Sequence, residues 1–150
     1  MTTRQTISGA CHCGAVRLQV RGPLRPPINC HCSLCRRLSG AAFSTWLSVN
    51  RDDLQLSGED HLLSYRPTAN LERRFCRHCG VHVLTRDARY GAIVGLAAGV
   101  LPDAAVPVPS GEYFVSHKAS WQVLPPGLPC FGGETGFEPM EAAVLPVGGR

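Results

Sequence analysis

Three thiols fall within six residues in Cys30-His31-Cys32-Ser33-Leu34-Cys35, a C-x-C-x-x-C spacing. Cysteines this crowded can form only one strained disulfide and would leave a sulfur over. Metal ligation uses all three. Zinc takes thiolates tetrahedrally, and a catalytic zinc keeps three protein ligands and one open position. The stretch supplies three sulfurs and no obvious fourth donor. Two arrangements follow: an open, reactive zinc, which is the leading expectation, or a closed zinc completed from afar by Cys130 or a histidine. The run Arg36-Arg37-Leu38-Ser39-Gly40 predicts that the last ligand starts a short helix ended by Gly40.

A second constellation pairs Cys11-x-Cys13 with Cys76-x-x-Cys79. Each pair reads as a turn, and the second runs into Gly80. Two such knuckles complete a tetrahedron around one metal. Between Cys13 and Cys76 lie 62 residues. Closing so long a loop by ligation removes chain entropy from the unfolded state, the mark of a structural zinc. The alternative gathers Cys11 and Cys13 with the Cys30 cluster in one larger site. The eighth cysteine, Cys130, reads as a free, partly buried thiol.

The elements that must position these turns are mostly short strands. Residues 15–21 alternate apolar and polar side chains, the period of a half-buried strand. Residues 41–49, 54–56, 62–66, 72–75, 81–85, 90–98 and 113–115 are further strand candidates. Gly91 and Gly95 in the sixth of these predict close backbone approach. The pattern predicts a mostly β fold in one domain over 1–150. Its core is expected at about 7–131, with a Pro/Gly-rich, irregular tail over 132–150.

Composition narrows the function classes. Eight cysteines without a secretory h-region predict a reducing, cytoplasmic setting and metal binding rather than disulfides. No apolar run of membrane-spanning length occurs, so no membrane association is expected. Seven thiolates holding two zinc ions would bring the formal charge of +4 to +1, which leaves little support for nucleic-acid binding. Nothing in the sequence bears on oligomeric state.

Three segments together resemble the glutathione-dependent formaldehyde-activating enzyme family: Gly9-Ala10-Cys11-His12-Cys13-Gly14-Ala15-Val16, Cys30 to Arg36, and Phe75-Cys76-Arg77-His78-Cys79-Gly80. Residues 116–121 and Leu128-Pro129-Cys130-Phe131 resemble its C-terminal signature. The match keeps motif order over about 7–131. It implies zinc-tied β-sheets similar to a small zinc-binding Rab-GTPase exchange factor fold. It also implies structural zinc on Cys11, Cys13, Cys76 and Cys79, and catalytic zinc on Cys30, Cys32 and Cys35. Glu112 departs from the histidine expected there, and Cys130 from a glutamine; both lie where substrate preference is set.

The chemistry implied is carbon–sulfur bond formation or cleavage. A glutathione-like thiol takes the fourth zinc position, ionises and adds to an aldehyde such as formaldehyde, giving S-hydroxymethylglutathione; the reverse is lysis. Arg36 and Arg37 could offset the thiolate charge or grip a substrate carboxylate, or simply form a solvated face. The rival is a non-catalytic, zinc-stabilised binding or scaffold module. Centromere protein V shares the pattern and is linked to chromatin and microtubules, but this chain has no long basic tail. The fourth ligand at the Cys30 cluster separates the two. His12, His31 and His78 are expected to point outward, and His61 and His117 to lie on the surface. His82 is expected as a sheet histidine. Trp46 and Trp121 are expected in the core or a pocket wall.

Overall fold

Alternation in Arg17-Leu18-Gln19-Val20-Arg21 places Leu18 and Val20 inward and the other three residues in solvent. This strand, β2 (Arg17–Arg21), pairs antiparallel with β1 (Thr6–Ala10), with Ile7 opposite Val20 and Gly9 opposite Leu18. The computed structural model describes residues 4–141. The chain divides into two compact units, Met1–Arg25 with Leu47–Pro107, and Pro26–Trp46 with Val108–Arg150.

In the first unit, β5 (Leu54–Ser57) joins β2 on the side away from β1. An antiparallel meander follows: β6 (Leu62–Tyr65), β7 (Leu71–Cys76), β8 (His82–Asp87) and β9 (Ile93–Ala97). A register shift at Arg74/Phe75 bends β7 just before Cys76. The core draws on Val16, Leu18, Val20, Leu47, Val83, Leu84, Val94 and Leu96. Gly95 packs directly on Thr85, and a Cβ there would collide with that side chain; Gly91 meets nothing. Close approach is thus confined to one of the two expected glycines. Cys11 and Cys76 are themselves part of this core.

In the second unit, β3 (Ile28–Cys30) pairs antiparallel with the start of β4 (Ser44–Asn50), Cys30 facing Ser44. Its other edge takes β10 (Glu112–Tyr113) in parallel, and β10 takes β11 (Cys130–Gly132), also in parallel. An antiparallel strand, β12 (Glu138–Met140), closes this end within the stretch expected to be irregular. The expected strand at 113–115 breaks after Tyr113, because Phe114 is left-handed with φ 57° and opens a short 3-10 turn. One helix, α1 (Ser33–Ser39), connects β3 to β4. The fold is mostly β with short strands. Among the described residues no helix is long and apolar enough to cross a membrane.

Candidate metal centres

The turns after β1 and β7 are built alike. Cys11 N–H donates to Val16 O at 3.0 Å, and Cys76 N–H to Val81 O at 2.9 Å. Inside each turn a glycine N–H returns to the first cysteine's carbonyl, Gly14 at 3.1 Å and Gly80 at 2.8 Å. Both glycines have positive φ, 77° and 74°, which a Cβ would oppose. This geometry turns two sulfurs of each knuckle toward one point. The Sγ atoms of Cys11, Cys13, Cys76 and Cys79 all lie within 4.8 Å of one another and could hold a metal ion. Cys13 Sγ lies 3.6 Å from Cys11 Sγ and 3.7 Å from Cys76 Sγ. A tetrahedron with zinc–sulfur bonds of about 2.3 Å has edges of about 3.8 Å, so the donor set fits zinc.

Electrostatics in this cluster already favours partial ionisation. N–H groups of Val81 and Cys13 hold the Cys79 thiol down to about 6. Burial pushes Cys11 up, but the Val16 N–H and the Cys13 and Cys76 thiols bring it below the ordinary value. Cys13 moves the other way: the Ala15 N–H pulls it down, yet burial and the three neighbouring thiols push it up to about 11. A cation is what would let all four ionise together.

Cys30, Cys32 and Cys35 form the second cluster, again with all sulfurs within 4.8 Å. Cys30 ends β3, Cys32 caps α1 and Cys35 sits in its first turn, so one strand-to-helix turn gathers them. The Cys35 N–H donates to Cys32 Sγ at 3.3 Å, and α1 ends at Gly40 as the sequence predicts. Cys30 and Cys35 are buried while Cys32 is partly open. Bonds to Cys32 and Cys35, then burial, push the Cys30 thiol far up. For Cys32 the Cys30 thiol favours ionisation, but Cys35 and burial outweigh it. Among the described residues no fourth His, Cys, Asp or Glu joins this group, and Cys130 does not complete it. Three converging thiols fit a metal with one exchangeable position.

His31 overturns its expectation. It does not point outward: its ring is fully buried, Nε2 lies 2.6 Å from Glu112 Oε2, and Phe43 packs 5.0 Å away. Glu112 Oε1 accepts from Asn29 Nδ2 at 3.1 Å, and Asn29 Oδ1 accepts from Thr45 Oγ1 at 2.8 Å. Sequence reasoning flagged Glu112 only as a departure and missed Asn29 and Thr45. No local signal could have joined residues 83 positions apart. Beside Glu112, Tyr113 stacks on Phe131 at 4.5 Å and meets Phe137 at 5.4 Å. Arg36, one residue after Cys35, has a buried Nε–H with no partner. Cys130 is partly buried, pushed up by burial and the Glu112 charge.

The other expectations divide. His12 and His78 are exposed, though His78 shares a 3.0 Å hydrogen bond with His61. His117 lies on the surface, and His82 stacks on Phe75 at 4.3 Å in the sheet. Trp46 is buried, but Trp121 is 69% exposed and belongs to no core.

Fold and clusters together define a small, mostly β protein with two thiol groups able to hold metal ions. The family model described as glutathione-dependent formaldehyde-activating enzyme matches residues 6–117. A Halomonas elongata protein, provisionally named for that same activity, is 32% identical over 123 residues, covering 77% of this chain and 78% of its own. The chain belongs to the glutathione-dependent formaldehyde-activating enzyme family. A crystal structure of a Rhodobacter sphaeroides protein is also similar, with TM-score 0.56 and 26% identity, covering 69% of this chain and 98% of the other.

Proposed function

We propose that the protein is a zinc-dependent carbon–sulfur lyase acting on the adduct of a glutathione-like thiol and an aldehyde such as formaldehyde. The observation that carries this reading is the three-donor cluster with no fourth protein donor among the described residues. Cys11, Cys13, Cys76 and Cys79 hold a structural zinc in this reading, and Cys30, Cys32 and Cys35 a catalytic one. Zinc at the latter supplies one chemical service: it stabilises an incoming thiol as its thiolate near neutral pH.

In the forward direction the thiol loses its proton, its sulfur lone pair forms the bond to the aldehyde carbon, and the carbonyl π pair takes up a proton as hydroxyl. Lysis runs the same steps backward. The chain's part is presentation. The strand-to-helix turn holds the three sulfurs to one side, and half-open Cys32 marks the approach. Arg36 follows Cys35 and is partly exposed, and its guanidinium is suited to a carboxylate of the thiol substrate.

The test is cobalt substitution followed by glutathione, cysteine or a thiol-free control. Entry of a thiol into an open position shifts the sulfur-to-cobalt charge-transfer band, and formaldehyde then gives the S-hydroxymethyl adduct by NMR. No spectral change with either thiol sinks the proposal and leaves a scaffold module.

A further inference from the structure

One carboxylate ties together the residues on either side of Cys30. Glu112 Oε1 takes the Asn29 Nδ2–H at 3.1 Å, and Oε2 lies 2.6 Å from His31 Nε2. Asn29 precedes the first thiol and His31 follows it. All three side chains are buried, Glu112 and His31 almost completely. Burying a carboxylate is costly, and an apolar trio of similar volume would pack the same strands without that cost.

The network is not needed to pair the strands. Backbone bonds already do so: Asn29 N–H to Gly111 O at 3.1 Å, His31 N–H to Tyr113 O at 2.9 Å, and Glu112 N–H to Pro129 O at 2.9 Å. What the side chains add is orientation. In extended backbone, residues 29 and 31 share one face, and residues 30 and 32 share the other. Glu112 therefore grips the back of the segment whose front carries the Cys30 and Cys32 sulfurs. Thr45 holds Asn29 from β4 at 2.8 Å, and the Phe43 ring, 5.0 Å from that of His31, limits its swing.

We propose that Glu112 is a positioning residue for the three-thiol centre: by clamping Asn29 and His31 it holds the Cys30–Cys35 turn in its ligating geometry before the metal arrives. This rests on the reading that those thiols bind metal. Groups bonded to a metal's ligands typically contribute about 10–100-fold in affinity, and Glu112, which bonds the residues flanking Cys30, belongs at the lower end of that range.

The experiment is titration of the full-length, metal-free protein with cobalt(II), reading charge-transfer absorbance under chelator competition. Cys32→Ser isolates the signal of the four-thiol site. Glu112→Leu loses both bonds at similar bulk and is expected to weaken only the three-thiol site, by about tenfold. Glu112→Gln keeps one acceptor oxygen and should fall between Leu and wild type. If neither variant folds, Thr45→Val, which removes only the outer bond to Asn29, should weaken the same site several-fold with the four-thiol site unchanged. Equal weakening of both sites marks Glu112 as general support and overturns the proposal. Affinity at the three-thiol site within threefold of wild type in every folded variant also overturns it, and leaves the metal reading intact. A wild type that binds one cobalt removes the metal reading and this proposal together.

Discussion

Replacing Cys76 with Ser is expected to unfold the unit that contains it. Cys76 is 1% exposed and belongs to the core, so the change leaves a hydroxyl buried beside three thiols. The larger effect is topological. Cys13 and Cys76 are 63 positions apart, with sulfurs 3.7 Å apart, whereas Cys30 and Cys35 are only five positions apart. Loop-closure entropy grows as (3/2)RT ln n, so ligation across the longer loop contributes about 2 kcal/mol more than across the shorter. Binding of a structural zinc contributes on the order of 10 kcal/mol in small zinc peptides, comparable to the whole stability of a typical domain. Metal analysis with thermal melts followed by far-UV circular dichroism gives the answer. Where Cys76→Ser stays soluble, it should lose one metal and melt at least about 4–8 °C below Cys32→Ser, the shift that about 2 kcal/mol implies at this chain length. A soluble Cys76→Ser protein melting with wild type, or no lower than Cys32→Ser, would refute the reasoning.

Cys32→Ser should remain folded, lose one metal and fail to bind a thiol; metal content and the cobalt band check this, and retained thiol binding contradicts it. All eight cysteines should titrate as reduced or metal-bound in fresh protein, and two or more stable disulfides would overturn the metal reading. Arg36→Ala should raise KM for glutathione more than for a thiol lacking carboxylates, and an equal change for both counts against a carboxylate contact. Asp87 is held below the usual carboxylate range by its bonds to Arg89. A lowered folded-state pKa gives stability that is present above the unfolded carboxylate pKa and lost as pH falls through the folded value. Arg89 is exposed and Asp87 partly buried, so Arg89→Ala should lower the melting temperature slightly at pH 7, less at high salt and less at pH 2. An equal drop at pH 2 would be incompatible with that linkage.

The two cysteine clusters were legible because ligand spacing is a local property: C-x-C, C-x-x-C and C-x-C-x-x-C each place their sulfurs within one turn. Strand β2 was legible because half-buried alternation shows in a short window, and β8 because it carries β-branched Val83 and Thr85. β11 and β12 were not, and β10 was legible only at Tyr113, where the expected strand over 113–115 begins. Two or three residues long, they stand in Pro/Gly-rich chain, and only their ladder partners make them strands. Glu112 pairs with Asn29 on one side and Cys130 on the other, links no window contains. For the same reason His31 was misplaced. A histidine between two ligands reads as solvent-facing until a carboxylate 81 positions away claims its nitrogen. Trp121 failed differently: bulk and apolarity predict burial on average, and among the described residues no element covers this one.

The spacing of the clusters also sets an order of events during synthesis. Once Cys35 has been made, every sulfur of the three-thiol turn exists. Cys79, which completes the other cluster, comes 44 positions later, a delay on the order of seconds at common elongation rates. In that interval the Cys11 knuckle is half a site, able to offer a metal two sulfurs but not to close around it. Glu112 emerges 33 positions after Cys79. The nascent chain therefore completes the three sulfurs of the local turn first, the four-thiol set second, and gains Glu112 last. On the proposed reading, a metal captured early by the local turn would sit there without the Glu112 clamp, and would be freer to exchange until the last strands arrive.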